Sequence, residues 1–206
     1  MSVPPTRNEM PVKKIITHLS SSDPVLKGVM EKVELDEIPS TNNVFHDLLS
    51  CIIEQQIHYR STKKMFEKLL NKSGLKEVKP DNLEHFEQFG LKDVNLSTRK
   101  WETLHETQNQ FESFGDVDWN QLEDHEVRKR LSQIKGIGDW TQDMILLYTL
   151  KRNDIFPVSD YHLKRIFLDL YKTQNKKDML NIAFNWKPYA SYATRYLLEF
   201  KRLKLK

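Results

Sequence analysis

The run Leu131-Ser132-Gln133-Ile134-Lys135-Gly136-Ile137-Gly138-Asp139-Trp140-Thr141 decides how this chain folds. Only six glycines occur in 206 residues, and two of them stand here with one residue between. Helical spacing of apolar residues ends near Ile134 and resumes from Asp139 to Leu150. A Gly-x-Gly turn between two helices lets the backbone take positive φ and approach a ligand closely. The helix that follows offers N–H groups and the positive end of its dipole, which suits a phosphate. A tight helix–helix connection would use the same three residues, so alone they leave both readings open. A dinucleotide-binding turn is excluded, because no strand precedes it and no third glycine follows at the needed spacing.

Outward from this turn, almost every segment carries helical periodicity: 44–56, 62–70, 98–111, 127–134, 161–171 and 189–205. Ser22-Asp23-Pro24, Pro80-Asp81 and Ser97 are start signals. Alternation of the strand type is not evident. The expectation is an all-α protein of about ten short helices.

Composition narrows the function. The single cysteine, Cys51, excludes a disulfide framework, a cysteine-based zinc site and a four-cysteine iron–sulfur cluster. It lies in the apolar run 48–53 and reads as a core thiol. The seven histidines are scattered without His-Glu-x-x-His spacing, which argues against catalytic zinc. No stretch is apolar enough to span a membrane, and Met1-Ser2-Val3-Pro4-Pro5 lacks the core of a secretion signal. The expected location is the cytoplasm, or the nucleus in a eukaryote. The net charge of +3 conceals an asymmetry: residues 160–206 carry 11 basic and 4 acidic side chains. That suggests a face that meets a polyanion.

Five segments, in order, resemble the helix-hairpin-helix DNA glycosylase superfamily and its 3-methyladenine DNA glycosylase II (AlkA-type) branch. They are Ile52-Ile53-Glu54-Gln55-Gln56, Leu96-Ser97-Thr98-Arg99-Lys100, the Gly136–Gly138 run, the segment 154–165 with Asp160, and Trp186-Lys187-Pro188-Tyr189-Ala190-Ser191-Tyr192-Ala193. The resemblance implies one domain over 1–206, in the compact form without an N-terminal α/β domain. It would have two helical subdomains with a DNA-binding cleft between them. One would span 45–155, with the hairpin at 127–150; the other would join 11–44 to 156–206.

The resemblance assigns roles. Asp160 would be catalytic, stabilising the positive charge that builds on deoxyribose and orienting water. One carboxylate suffices when the leaving base is already cationic, as a 3- or 7-alkylpurine is. Read locally, Ser159-Asp160 before a helix is also an N-cap. Trp140 stands where glycosylase/lyases carry a Schiff-base lysine, so a monofunctional enzyme is implied. Trp140, Met144, Tyr161, Leu198 and Phe45 would line the base pocket, with Met144 and Leu198 replacing aromatic residues of the branch. Gln56, with Ile57, would fill the gap left by the flipped base. Gly136, Gly138, Thr141, Ser61, Thr62, Lys63, Lys100 and Lys164 would meet the DNA backbone. No cofactor is required, although the carbonyls of Ser132, Ile134 and Gly136 would hold a monovalent cation when DNA is bound. The partner would be double-stranded DNA with a damaged base, bound by a monomer. Two other readings compete: a damaged-DNA binder that does not cut, and a glycosylase/lyase using Lys135.

Overall fold

The computed structural model describes residues 12–36, 40–53 and 59–204, and at 59–64 and 204 the backbone alone. Among the described residues all regular structure is helical. The chain forms two compact units, Met1–Ile38 with Lys151–Lys206, and Pro39–Leu150.

The first unit contains α1 (Val12–Ser22), α2 (Pro24–Met30), α9 (Tyr161–Tyr171), α10 (Lys176–Phe184) and α11 (Ala190–Lys204). Its core gathers Leu19, Leu26, Leu163, Phe167, Trp186 and Leu197, each shielded from water. Removal of such side chains from water is the main stabilising term. A polar knot lies inside it. Asp23 caps α2 by accepting from Leu26 N–H at 2.9 Å. Its other oxygen accepts from Trp186 Nε1–H at 2.9 Å and from the Tyr171 hydroxyl at 2.8 Å. Burial and the Asp23 charge push the Tyr171 phenol well above its usual range, so it serves only as a donor.

The second unit contains α3 (Val44–Ile53), α4 (Tyr59–Ser73), α5 (Leu83–His85), α6 (Thr98–Phe114), α7 (Asp124–Leu131) and α8 (Asp139–Met144). Every residue of α3 is buried, as expected for a helix apolar on most sides. Its one carboxylate, Asp47, is satisfied by the hydroxyls of Thr149 at 2.6 Å and Thr41 at 2.9 Å. The 139–150 helix of the sequence reading is α only to Met144 and widens into a π turn over Ile145–Thr149. The first hairpin helix starts earlier than the apolar spacing indicates. Glu126 reaches back to accept from Glu123 N–H at 2.9 Å, and this caps α7 from Asp124.

Candidate functional site

The turn between α7 and α8 is wound by short backbone bonds. Ile134 N–H donates to Leu131 carbonyl at 3.2 Å, and Ile137 N–H to Ile134 carbonyl at 3.1 Å. Ile134 and Ile137 plug inward, while Ser132, Lys135, Gly136, Gly138 and Asp139 face solvent. The two glycines have different reasons. Gly136 has φ +101, and a Cβ there would fall 2.3 Å from Oγ1 of Thr103 on α6. It is glycine because of its own conformation and of α6 behind it. Gly138 is extended, with φ −94, and begins α8. A Cβ there would meet nothing within 4 Å. The protein itself therefore places no demand on glycine at 138.

Arg128 of α7 braces the two hairpin helices by donating from Nη2 to Asp143 Oδ1 of α8 at 2.6 Å. Burial nevertheless holds the Asp143 carboxyl above its ordinary value, because desolvation outweighs the guanidinium. Trp140 is half-buried in the first turn of α8, whereas Thr141 and Met144 are closed to solvent. Phe45 is also closed to solvent, and packs edge-on against Phe111 at 5.2 Å. Lys100 donates from Nζ to Ile53 carbonyl at 2.7 Å and so holds the C-terminal end of α3. Gln56 and Ile57 lie outside the described residues. Ser61, Thr62 and Lys63 fall in the first turns of α4, where only the backbone is described.

In the other unit, Asp160 is buried, and its Oδ1 accepts from Leu163 N–H at 2.7 Å. It is thus the N-cap of α9, and its charge lies at the favourable end of that helix. Tyr161, the next residue, is 67% exposed. Lys164 is half-buried, one turn after Asp160, and Leu198 lies partly buried against the unit's core.

The segment leading to Asp160 is fastened to the start of α11. The Ser191 hydroxyl donates to Arg152 carbonyl at 2.5 Å and accepts from Ile155 N–H at 2.8 Å. Ser191 N–H donates to Asn153 carbonyl at 3.0 Å. Asp154 accepts from Ala190 N–H at 3.3 Å and pairs with Lys187 at 3.2 Å. The 186–193 segment is therefore a clamp on the segment that delivers Asp160. Its function was not legible as such: Ser191 is a motif residue in the sequence, but its partners lie 36 and 39 positions away.

Sequence reasoning also missed Lys201. Its Nζ stands 3.2 Å from His162 Nδ1 and 5.7 Å from the centre of the Tyr161 ring. No periodicity announces such a meeting of two helices.

Comparisons with known proteins agree on a single family. A putative DNA-3-methyladenine glycosylase of Bacillus subtilis is 26% identical over 198 residues, covering 90% of this chain and 68% of that protein. DNA-3-methyladenine glycosylase 1 of Schizosaccharomyces pombe is 25% identical, covering 77% and 73%. Among solved structures, a DNA-3-methyladenine glycosidase of Bacillus halodurans superposes with a TM-score of 0.70 at 25% identity, covering 96% of this chain and 97% of the other. A 3-methyladenine DNA glycosylase of Schizosaccharomyces pombe, in complex with abasic DNA, shares the fold with a TM-score of 0.77 at 23% identity, covering 90% and 95%. With residues 49–189 matching the family model, the chain belongs to the HhH-GPD superfamily of base excision DNA repair proteins.

Proposed function

We propose that this protein is a monofunctional DNA glycosylase that flips alkylated purines out of the duplex and excises them with Asp160. The carrying observation is the placement of that carboxylate. It is fixed by the Leu163 N–H at the head of α9, on a segment that Ser191 clamps at Arg152 and Ile155. A fixed negative charge stabilises an oxocarbenium-like sugar without reorganising as the reaction proceeds. Water attacks C1′ and gives up its proton to the carboxylate, while a cationic 7-methylguanine or 3-methyladenine departs neutral. Trp140 occupies the position at which a lyase would carry its amine, which supports hydrolysis rather than Schiff-base chemistry.

The hairpin grips the DNA backbone through the N–H groups of Gly136 and Gly138. The carbonyls of Ser132, Ile134 and Gly136 would offer oxygen ligands to a hard monovalent cation, that of Ile134 while also accepting from Ile137 N–H. Double-stranded DNA with a damaged base is the partner, and the enzyme works as a monomer.

The test is release of free base from duplex DNA carrying 7-methylguanine, with borohydride present in a parallel reaction. Free base without a trapped protein–DNA adduct is the expected result. No base release, together with tight binding to abasic DNA, would favour the reading of a non-cutting damage binder.

A further inference from the structure

Helices α9 and α11 pack side by side, and at the Asp160 end of α9 a lysine from α11 lies over the first turn. Lys201 Nζ is 3.2 Å from His162 Nδ1, which accepts when it is the unprotonated ring nitrogen. The same ammonium lies 5.7 Å from the centre of the Tyr161 ring. Tyr161 and His162 are the two residues after Asp160, so Lys201 stands over the turn that the carboxylate caps.

The charged surroundings are mixed. From α9, Arg165 repels the ammonium, while Asp160 and Asp169 attract it. On α11 itself, Glu199 is engaged by Arg202. On α2, which also packs against α11, Asp23 is held by Trp186 and Tyr171, and Lys27 pairs with Glu31. Burial and Arg165 together keep Lys201 below the usual lysine range. A lysine that grips phosphate is normally well hydrated. A partly desolvated one, close to an exposed aromatic ring and within the field of the Asp160 carboxylate, is suited to giving up a proton.

We propose that Lys201 is the proton donor to the departing base and sets the preference between cationic and uncharged purine lesions. This rests on the Asp160-centred glycosylase reading above. For an uncharged base such as hypoxanthine, the C1′–N9 bond breaks with its electron pair moving into the purine. The Lys201 ammonium supplies a proton to a ring nitrogen, water adds to C1′, and Asp160 receives the proton that the water loses. Solvent then restores the lysine proton and removes that of Asp160. A cationic base needs no such donor, and the positive charge of Lys201 opposes its binding.

The test compares release of hypoxanthine and 7-methylguanine from otherwise identical duplexes by the wild type, Lys201→Met and Lys201→Arg. The expected result is that hypoxanthine release relative to 7-methylguanine falls about 10²-fold in Lys201→Met. Lys201→Arg, which keeps the charge but cannot release a proton, shows the same fall. In the wild type, hypoxanthine release declines on the alkaline side at a lower pH than 7-methylguanine release. Restoration of hypoxanthine release by Lys201→Arg would overturn proton donation in favour of a charge contact. An equal loss of both activities in Lys201→Met would overturn it in favour of a structural role. A wild type that releases 7-methylguanine but never hypoxanthine would overturn it while leaving the glycosylase reading intact. Release of neither base would overturn the reading on which it rests.

Discussion

Thr103 stands directly behind Gly136: a methyl group added to that glycine would lie 2.3 Å from the threonine Oγ1 and 2.9 Å from its Cγ2. Helix α6 thus dictates one hairpin glycine from within the fold. Gly136→Ala must both strain a positive φ and displace Thr103, and should cost about 3 kcal/mol of stability. Thr103→Ala removes the two nearest atoms, so the double variant should recover about 1 kcal/mol relative to the sum of the single ones. Urea unfolding of the four proteins measures this coupling.

Gly138 should behave oppositely. With nothing near its Cβ position and an ordinary φ, Gly138→Ala should change stability by less than about 1 kcal/mol. If its backbone approaches a phosphate, the same variant should bind abasic-site duplex at least about tenfold more weakly. Fluorescence anisotropy at fixed salt is the measurement. Unchanged binding would remove Gly138 from the interface.

The contrast shows what was readable in the sequence. The hairpin was legible because scarce glycines interrupt a local helical period. Asp160 was legible as a cap because capping is also local, and Leu163 is only three residues on. The reason for Gly136 was not legible, since Thr103 comes from a helix 33 positions earlier. The Ser191 clamp and the Lys201–His162 contact were hidden for the same reason, each joining residues more than 35 positions apart. Lys100 reads as a contact to the DNA backbone, and its hydrogen bond to the Ile53 carbonyl at the end of α3 was not legible in the sequence. Phe45 and Met144, read as pocket residues, are placed by helix packing that no spacing reveals.

Ser191→Ala should loosen the approach to Asp160. Loss of the hydroxyl strips a partner from the Arg152 carbonyl and the Ile155 N–H. The cost should be about 1–3 kcal/mol in stability. Single-turnover excision should slow by about tenfold or more, with DNA affinity changed far less, because a misplaced carboxylate affects the transition state rather than binding. Equal losses in both would indicate general damage to the unit.

The Arg128–Asp143 brace makes a pH prediction. The folded-state value of Asp143 is raised above 3.8, so the folded protein holds that proton more tightly than the unfolded chain. Its contribution is fully present below the unfolded value and is lost as pH rises through the folded one. The stability of the wild type relative to Asp143→Asn should therefore decline as pH increases from about 3.8. Parallel denaturation series across the acid range would show it; a difference that grows with pH contradicts it.

Asp23→Ala should be the most damaging single change in the first unit. It removes the cap on α2 and leaves the Trp186 and Tyr171 donors without an acceptor. The expected loss is about 3–5 kcal/mol, read from thermal or urea unfolding.

Asp160→Asn tests the central claim most directly. Asparagine keeps an oxygen for the Leu163 N–H and is an equally good cap, so folding and binding to abasic-site duplex should persist. Only the negative charge is lost, which in the proposed mechanism stabilises the sugar cation. Single-turnover release of 7-methylguanine by the variant should fall by about 10²-fold or more, with an unchanged melting temperature. Release at the wild-type rate from a folded, DNA-binding Asp160→Asn protein would contradict the account.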